Sequence, residues 1–596
     1  MQPILAKARA WLALDRDAAT RSEVQQYIDG NDTKALHAIL DQRIAFGTAG
    51  LRARMQAGFG RMNDVTVLQA TQGVLAHLLQ VVPDVHTRGV VIGHDHRHHS
   101  QRFAARAATV FLRAGVPVVL LRGLACTPMV PFGVKTLGAA AGIMITASHN
   151  PKDDNGYKLY WSNAVQIVSP VDKRVAAAIE EHLDLDDAAW DLSVLSQSID
   201  RTAELRQQYI EQVGMLSRFR GENAQSIQKV VYTPMHGVGF EYAQAAFVAF
   251  GFPKENLLSV PEQQAPDPDF PTVAFPNPEE QGALRLATAF ADAQGASLVL
   301  ANDPDADRFC AAEKSAGHWT TFTGDQIGAI FAMWAFEQYK ASGRPIEKLA
   351  MLASTASSKL VAAMAKAEGF YFDETLTGFK YLGNRALDLD QQGYSCEFAY
   401  EEAIGYMNGS IIRDKDGISA LAIFAELSAF LSRKNSTVAQ YLEQIYQRYG
   451  HFVTSNSYFI CRDPSKLAAI FRRIRYSETD STELAFPKTI GGIPIESIRD
   501  LTVGYDSTRP PDFKPVLPVS SNSQMITLVT RPDAGGTIGS VTATLRGSGT
   551  EPKIKFYIEA SGTELAAVHE RLRIVRDALA TDWLRWQENG LEMPAS

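Results

Sequence analysis

Apolar residues in this chain fall mostly into short runs bounded by polar loops. Such runs occur at 90–93 (VVIG), 116–121 (VPVVLL), 139–145 (AAAGIMI), 229–232 (KVVY), 298–300 (LVL) and 349–353 (LAMLA). Their length predicts buried strands. Helical stretches separate them, as at 101–113, where Ser100 stands in the position of an N-cap. Residues 1–42 also read as helical, with a capping-box match at Thr20-Arg21-Ser22-Glu23. Strands and helices alternate over 45–200, which predicts a mostly parallel sheet. The alternation starts again near 229 and near 349, with no exact sequence repeat. Each time a strand is followed by polar residues at its carboxyl end. From about 452 the pattern changes to strands such as 542–545 (TATL) and 554–558, closed by a helix over 563–588. That predicts a separate α+β domain, in which the Pro- and Ser-rich stretch 507–524 is a surface insertion.

The 596-residue length predicts about four domains. A net charge of −8 argues against nucleic-acid and anionic-membrane partners, though a local cluster of Lys and Arg still suits a small anion. The four cysteines, Cys126, Cys310, Cys396 and Cys461, are far apart and form no C-x-x-C pair, which fits reduced thiols. No run reaches the roughly 18 apolar residues of a membrane span. Asp15 and Asp17 interrupt the amino terminus before a signal-like apolar run develops. The expected location is the cytoplasm.

The richest loop follows the 139–145 run: Thr146-Ala147-Ser148-His149-Asn150-Pro151-Lys152-Asp153-Asp154-Asn155-Gly156-Tyr157-Lys158. Ser148 is expected just past the carboxyl end of a strand, where open α/β sheets keep their ligands. Gly156 is expected to turn the chain and return Lys158 to the same crevice. A hydrolase nucleophile fits poorly, because Thr146 and Asn150 replace the glycines of a G-x-S-x-G elbow. His149, adjacent in sequence, is expected to diverge from Ser148. The loop 46–52 (FGTAGLR) ends in Arg52, which is either a surface charge or a phosphate contact admitted by its glycines. The histidines of 94–100 (HDHRHHS) are not expected to bind metal, and His236 reads as structural.

Asp303, Asp305 and Asp307 form D-x-D-x-D after the 298–300 strand. In an extended segment alternate carboxylates share a side and converge on one cation. Three hard oxygens suit Mg²⁺. A calcium loop fails, since Arg308 and Lys314 stand where Gly and Glu are required. Residues 546–553 (RGSGTEPK) lie between two strands and read either as a phosphate cradle or as a glycine hairpin turn. Glu401-Glu402 in 400–405 (YEEAIG) and the segment 377–380 (TGFK) are weaker signals. Walker, kinase and dinucleotide-binding sequences are absent. A serine near a divalent cation with no nucleotide site points to a serine that itself carries a phosphoryl group.

In order along the chain, FGTAGLR, TASHNP with GYK, DPDADR, TGFK, the Glu-Glu loop and RGSGTEPK resemble the α-D-phosphohexomutase superfamily of phosphoglucomutases and phosphomannomutases. FGTAGLRARM, YEEAIGYM and DKDGISA resemble its phosphopentomutase-like phosphoglucomutase branch. The resemblance implies an α/β fold of four domains around a central cleft: three similar α/β domains and a C-terminal α+β domain. These would be domain 1 at 1–215 with a helical extension and the phosphoserine loop, domain 2 at 216–325 with the metal loop, domain 3 at 326–450 with the sugar loop, and domain 4 at 451–596 with the phosphate loop. It implies that Ser148 is the phosphoserine and that Mg²⁺ joins it to Asp303, Asp305 and Asp307. Arg52, Lys158 and Arg308 would surround the transferring group, with Lys158 the proton-transfer candidate. Glu401, with Thr377 and Gly378, would contact the sugar. Arg546, Ser548, Gly549, Thr550 and Lys380 would hold the other phosphate.

The implied activity is reversible interconversion of glucose 1-phosphate and glucose 6-phosphate, with a sugar monophosphate as substrate and glucose 1,6-bisphosphate as activator. Phosphopentomutase or phosphomannomutase activity on the same scaffold remains open, as does a non-catalytic sugar-phosphate-binding protein. Many relatives have Ser two positions after the sugar-binding Glu, where this chain has Ala403. That departure is expected to relax selection against pentose phosphates, with glucose 1-phosphate still the best substrate. The oligomeric state is left open.

Overall fold

A computed structural model describes residues 2–47, 50–476, 483–547 and 552–593. The chain forms two compact units, one of Met1–Leu352 with Gly378–Ala439, the other of Ala353–Thr377 with Gln440–Ser596.

The first unit begins with three helices, Gln2–Leu14, Ala18–Asp29 and Thr33–Leu40. They bury Ile4, Trp11, Val24, Leu36 and Ile39 against Ala57 and Val65 of the following segment. The second helix is capped by Asp17, which accepts from the N–H groups of Ala19 and Thr20. Thr20 therefore lies inside the helix, and the expected capping box is not its start. Asp17 also pairs with Arg102. Arg102 and Arg106 each reach the buried Asp64 carboxylate at 3.0 Å, fastening the helical extension to the next layer.

That layer is a five-stranded sheet in the order Gly50–Arg54, Asp154–Tyr160, Ala141–Ile145, Val90–His94, Val118–Leu120. The last three strands are parallel, whereas the first two run antiparallel. The sheet is thus mixed, because the chain returns directly after Ser148 instead of crossing over through a helix. Gly156 lies within a strand and makes no turn; its missing Cβ lets Thr146 O approach, where a methyl would stand at 2.5 Å. The helix Ser100–Arg113 starts at Ser100, with His99 preceding it at φ 64°, and Ser100 Oγ donates to Asp95 Oδ1 at 2.6 Å. The cap expected of Ser100 is therefore spent on Asp95.

A second five-stranded sheet repeats this order with His318–Thr321, Phe309–Ser315, Leu298–Asn302, Val230–Thr233 and Leu257–Ser259. The third places Leu349–Ser354 beside Ser395–Glu401, which pairs antiparallel with Gly405–Asn408.

In the second unit, long antiparallel strands including His451–Ile460, Met525–Thr530, Ile538–Gly547 and Lys553–Gly562 carry the helices Pro464–Arg475 and Leu565–Ala578 on a core of Phe471, Ile474, Leu528, Ile558 and Val575. The second of these helices is shorter than the expected 563–588. The stretch 507–524 is largely exposed and irregular, as the sequence predicts. Within this unit Lys359 N donates to Glu559 Oε1 at 2.8 Å, and Lys359 Nζ pairs with Glu374 at 2.7 Å. The architecture is that of three α/β domains followed by a β-rich C-terminal domain. The four cysteines are buried and free. Among the described residues no helix is long and apolar enough to cross a membrane.

Candidate active site

Ser148 sits at φ 55°, a left-handed conformation that a non-glycine residue adopts only when its surroundings impose it. Arg97 imposes it. This fully buried side chain donates to Ser148 O and Asn150 O at 2.6 Å, to Pro151 O at 2.8 Å and to Asp154 O at 3.2 Å. The loop's carbonyls thus turn inward to one guanidinium, and the serine hydroxyl turns the other way. Its Oγ donates to Asp303 Oδ2 at 2.7 Å. It also lies 3.2 Å from His149 Nδ1, so the two neighbouring side chains do not diverge as expected. The left-handed turn brings them together. Burial, with Arg308 and Arg52 nearby, pushes the His149 imidazole well below its ordinary range and keeps it neutral.

The three aspartates converge, but through a turn instead of the expected extended alternation. Residues 303–307 leave the Leu298–Asn302 strand as a tight turn with Ala306 at φ 58°. One oxygen from each carboxylate lies within 4.8 Å of the others, and all three side chains are buried. Asp305 Oδ1 and Asp307 Oδ1 are buried without a hydrogen-bond partner. Two orphaned anionic oxygens in such a cluster fit a hard divalent cation. No histidine belongs to a metal-ligating group among the described residues; the half-buried His96 lies edge-on to Phe270 with both ring nitrogens covered, and this desolvation moves its pKa down to about 4.

Lys158 is held by the same aspartates, its Nζ 2.6 Å from Asp305 Oδ2 and 2.7 Å from Asp307 Oδ2. Burial alone would lower its pKa, but these two carboxylates raise it overall, so the ammonium keeps its proton. Burial alone would lift Asp307, yet Lys158, Lys415 and Arg308 hold it well below the usual carboxylate range. Asp303 moves the other way, raised by burial and by its two acidic neighbours. Thr127, which carried no sequence signal, anchors the triad: its Oγ1 donates to Asp305 Oδ2 at 2.5 Å and its N–H to Asp305 O at 2.9 Å.

Arg308 donates to Ala403 O at 3.1 Å, and Phe309 N donates to Ile404 O at 3.1 Å, which joins the triad loop to the Glu401 loop. Ile404 takes φ 52°. Glu401 Oε1 accepts from Gly378 N at 2.5 Å, and burial raises its carboxyl to about 7. Arg52 lies on the edge strand Gly50–Arg54 and donates to Asn150 Oδ1 at 3.1 Å. The first unit therefore brings together Ser148, Lys158, Arg52, Arg308, the three aspartates, Glu401 and Gly378. Lys380 is buried in the first turn of the helix Phe379–Gln391. Thr377 belongs to the second unit, and its hydroxyl is buried without a partner. Arg546 is the penultimate residue of the strand Ile538–Gly547 of that unit, paired in register with Met525 and Lys555. Ser548, Gly549 and Thr550 lie outside the described residues.

Three stretches match the phosphoglucomutase/phosphomannomutase alpha/beta/alpha domains: domain I at residues 43–185, domain II at 207–317 and domain III at 323–449. A Schizosaccharomyces pombe protein named "probable phosphoribomutase" is 48% identical over 100% of both chains. The mouse protein named phosphopentomutase is 47% identical over 92% of this chain and 89% of its own. The human glucose 1,6-bisphosphate synthase is 41% identical over 98% and 94%. A solved phosphoglucomutase/phosphomannomutase family protein of Burkholderia thailandensis shares the fold at TM-score 0.63 and 16% identity, covering 93% of this chain and 100% of its own.

Proposed function

Because the chain belongs to the phosphoglucomutase/phosphomannomutase family and is an enzyme of the mutase type, we propose that it moves a phosphoryl group between the C1 and C5 oxygens of a pentose phosphate by way of Ser148. The observation that carries the reading is the Ser148 hydroxyl, turned out on a left-handed residue and hydrogen-bonded to Asp303 of the acidic triad. The pentose is favoured over the glucose expected from sequence because the similar chains named above include phosphoribomutase and phosphopentomutase. Glucose phosphates form the second reading, favoured by the relative named glucose 1,6-bisphosphate synthase.

In this reading phospho-Ser148 donates to a hydroxyl of the sugar monophosphate, and the resulting bisphosphate later returns its other phosphoryl group to Ser148. Lys158 gives its proton to Ser148 Oγ as that P–O bond breaks and recovers the proton lost by the sugar hydroxyl as the new bond forms. Arg52 and Arg308 stabilise the charge spread over the transferring group. Asp303, Asp305 and Asp307 would hold Mg²⁺, which when bound neutralises phosphoryl charge. Glu401 accepts hydrogen bonds from the sugar, with Gly378 and Thr377 framing that contact. Arg546, Ser548, Gly549, Thr550 and Lys380 are assigned the non-reacting phosphate. A bisphosphate such as glucose 1,6-bisphosphate would prime the serine.

Enzyme incubated with glucose 1,6-bisphosphate should gain one phosphoryl group on Ser148, read by intact mass and peptide mapping. Ser148→Ala should lose that species and nearly all turnover of ribose 1-phosphate. Retention of a tenth of the activity by the alanine variant would overturn the phosphoserine. A higher kcat/KM for glucose 1-phosphate than for ribose 1-phosphate would select the second reading.

A further inference from the structure

Away from Ser148, a cavity of about 60 Å³ opens between the helix Gly324–Ala341 and the hairpin of Ser395–Glu401 with Gly405–Asn408. The buried rings of Phe331 and Trp334 line it, with Arg218, Arg344, Glu397 and Asn408 as its charged and polar groups. Its volume suits the head of a small acid and falls far short of a site that encloses a whole sugar phosphate. In the hairpin Phe398 pairs with Asn408 and Glu401 with Gly405, so Asn408 lies three positions, or about 10 Å, from the Glu401 loop. The polar groups are unequally satisfied. Arg344 is spent: its Nη1 donates to Glu397 Oε1 at 2.7 Å and its Nε to Ser342 Oγ at 3.0 Å, while the guanidinium lies 3.9 Å from the centre of the Tyr339 ring. Arg218 is fixed through its backbone, whose N–H donates to the buried Glu426 carboxylate at 2.9 Å. Among the described residues its exposed guanidinium has no ion pair or hydrogen bond. Asn408 is nine-tenths buried, and its Nδ2 has no hydrogen-bond partner.

We propose that this cavity is a second ligand site, separate from the mutase site, and that it takes a short hydroxycarboxylate. The carboxylate lies on Arg218, the hydroxyl on the Asn408 amide and the carbon chain on the rings of Phe331 and Trp334. Arg218 supplies a cation with forked N–H donors, the geometry that a carboxylate matches. A hydroxyl donates as well as accepts, so it meets either end of the Asn408 amide. Water filling the cavity would also reach that amide, but it gains nothing from the two rings, which favour a carbon skeleton. Inorganic phosphate offers the rings no carbon. The Glu397 carboxylate in the same lining disfavours a dianion relative to a monoanion.

The test is a set of ligand-observed NMR titrations with lactate, propionate and inorganic phosphate, in the wild type, Arg218→Ala, Asn408→Leu and Ala335→Leu. Ribose 5-phosphate is kept in excess throughout, to occupy the cations around Ser148. Lactate should bind the wild type at millimolar concentration, and propionate roughly three- to tenfold more weakly for want of the hydroxyl. Asn408→Leu should weaken lactate to the propionate level and leave propionate itself unchanged. A purely structural role of Asn408 would alter stability without moving that ratio. Arg218→Ala should weaken both acids by roughly tenfold. Ala335 also lines the cavity, so Ala335→Leu keeps the polar groups, fills the space and should abolish binding of both. If Asn408→Leu does not fold, the exposed Arg218→Ala and the filled Ala335→Leu still decide the matter. Lactate binding that is absent at millimolar concentration, or unchanged in those two variants, would overturn the site. Lactate no tighter than propionate would overturn the hydroxyl contact. Phosphate bound more tightly than lactate, and lost in Arg218→Ala, would overturn the carboxylate.

Discussion

The first and second sheets are built on one plan and end in loops of opposite character. Each lays down three parallel strands and adds an antiparallel fourth beside the third. In both, the loop joining the third strand to the fourth carries candidate site residues: Ser148 after Ala141–Ile145, and the aspartates after Leu298–Asn302. Both loops hold one non-glycine residue in the left-handed region, Ser148 and Ala306. The Glu401 loop repeats the device with Ile404. The plans part at the fifth strand. In the first sheet it comes from earlier in the chain, Gly50–Arg54, and delivers Arg52 to the serine loop. In the second it comes from later, His318–Thr321, an outer hairpin whose residues are mostly exposed. A shared corner of the fold thus supplies the turn, while the neighbour along the edge decides whether a further cation is added.

The sharpest way to break this comparison is to disable the second loop and leave the first intact. Asp305→Asn should lower kcat on the order of a thousandfold, with a much smaller change in sugar-phosphate KM. Initial rates across a Mg²⁺ titration would show it. Wild-type rates unaffected by a chelator, with elemental analysis confirming metal-free protein, would count against a metal role for the triad.

The edge strands give a smaller contrast. Arg52→Ala should cost roughly ten- to a hundredfold in kcat/KM through a lost charge-assisted contact. Thr320→Ala, in the corresponding strand of the second sheet, should leave kcat/KM within twofold. Equal effects at both positions would erase the proposed distinction.

The smallest effect concerns the third loop. Ala403→Ser introduces a hydroxyl that would go unpaired beside a sugar unable to meet it. It should raise the glucose-to-ribose ratio of kcat/KM by up to roughly tenfold. A ratio that falls or stays constant would show that position 403 does not read the sugar.

Much of the site is local in sequence and so was legible there. Ser148, Lys158 and the three aspartates sit in short runs whose residue types already define their chemistry. The conformation of those runs was less accessible. The aspartates converge through a turn because Ala306 takes a left-handed conformation that a D-x-D-x-D spacing does not reveal. Arg97 stood in plain view among four histidines, but its four carbonyl partners lie more than 50 residues away. Thr127 and Lys415 depend likewise on contacts across 178 residues and across loops. Thr20 was misread because Asp17 takes the cap it matched by pattern, and Ser100 because it already lies in the helix, its hydroxyl engaged by Asp95. The plan of three α/β domains and a β-rich C-terminal domain survived these errors, since it follows from runs of apolar residues and not from any single cap.

The division of the chain between its two units has a consequence for synthesis on the ribosome. Residues 353–377 are made long before most of the unit to which they belong. Lys359 must await Glu559, 200 residues later. At cellular elongation rates that gap is roughly 10–40 s. Nascent chains stalled before residue 559 therefore lack this contact, and a fragment beginning at 440 would lack the segment altogether.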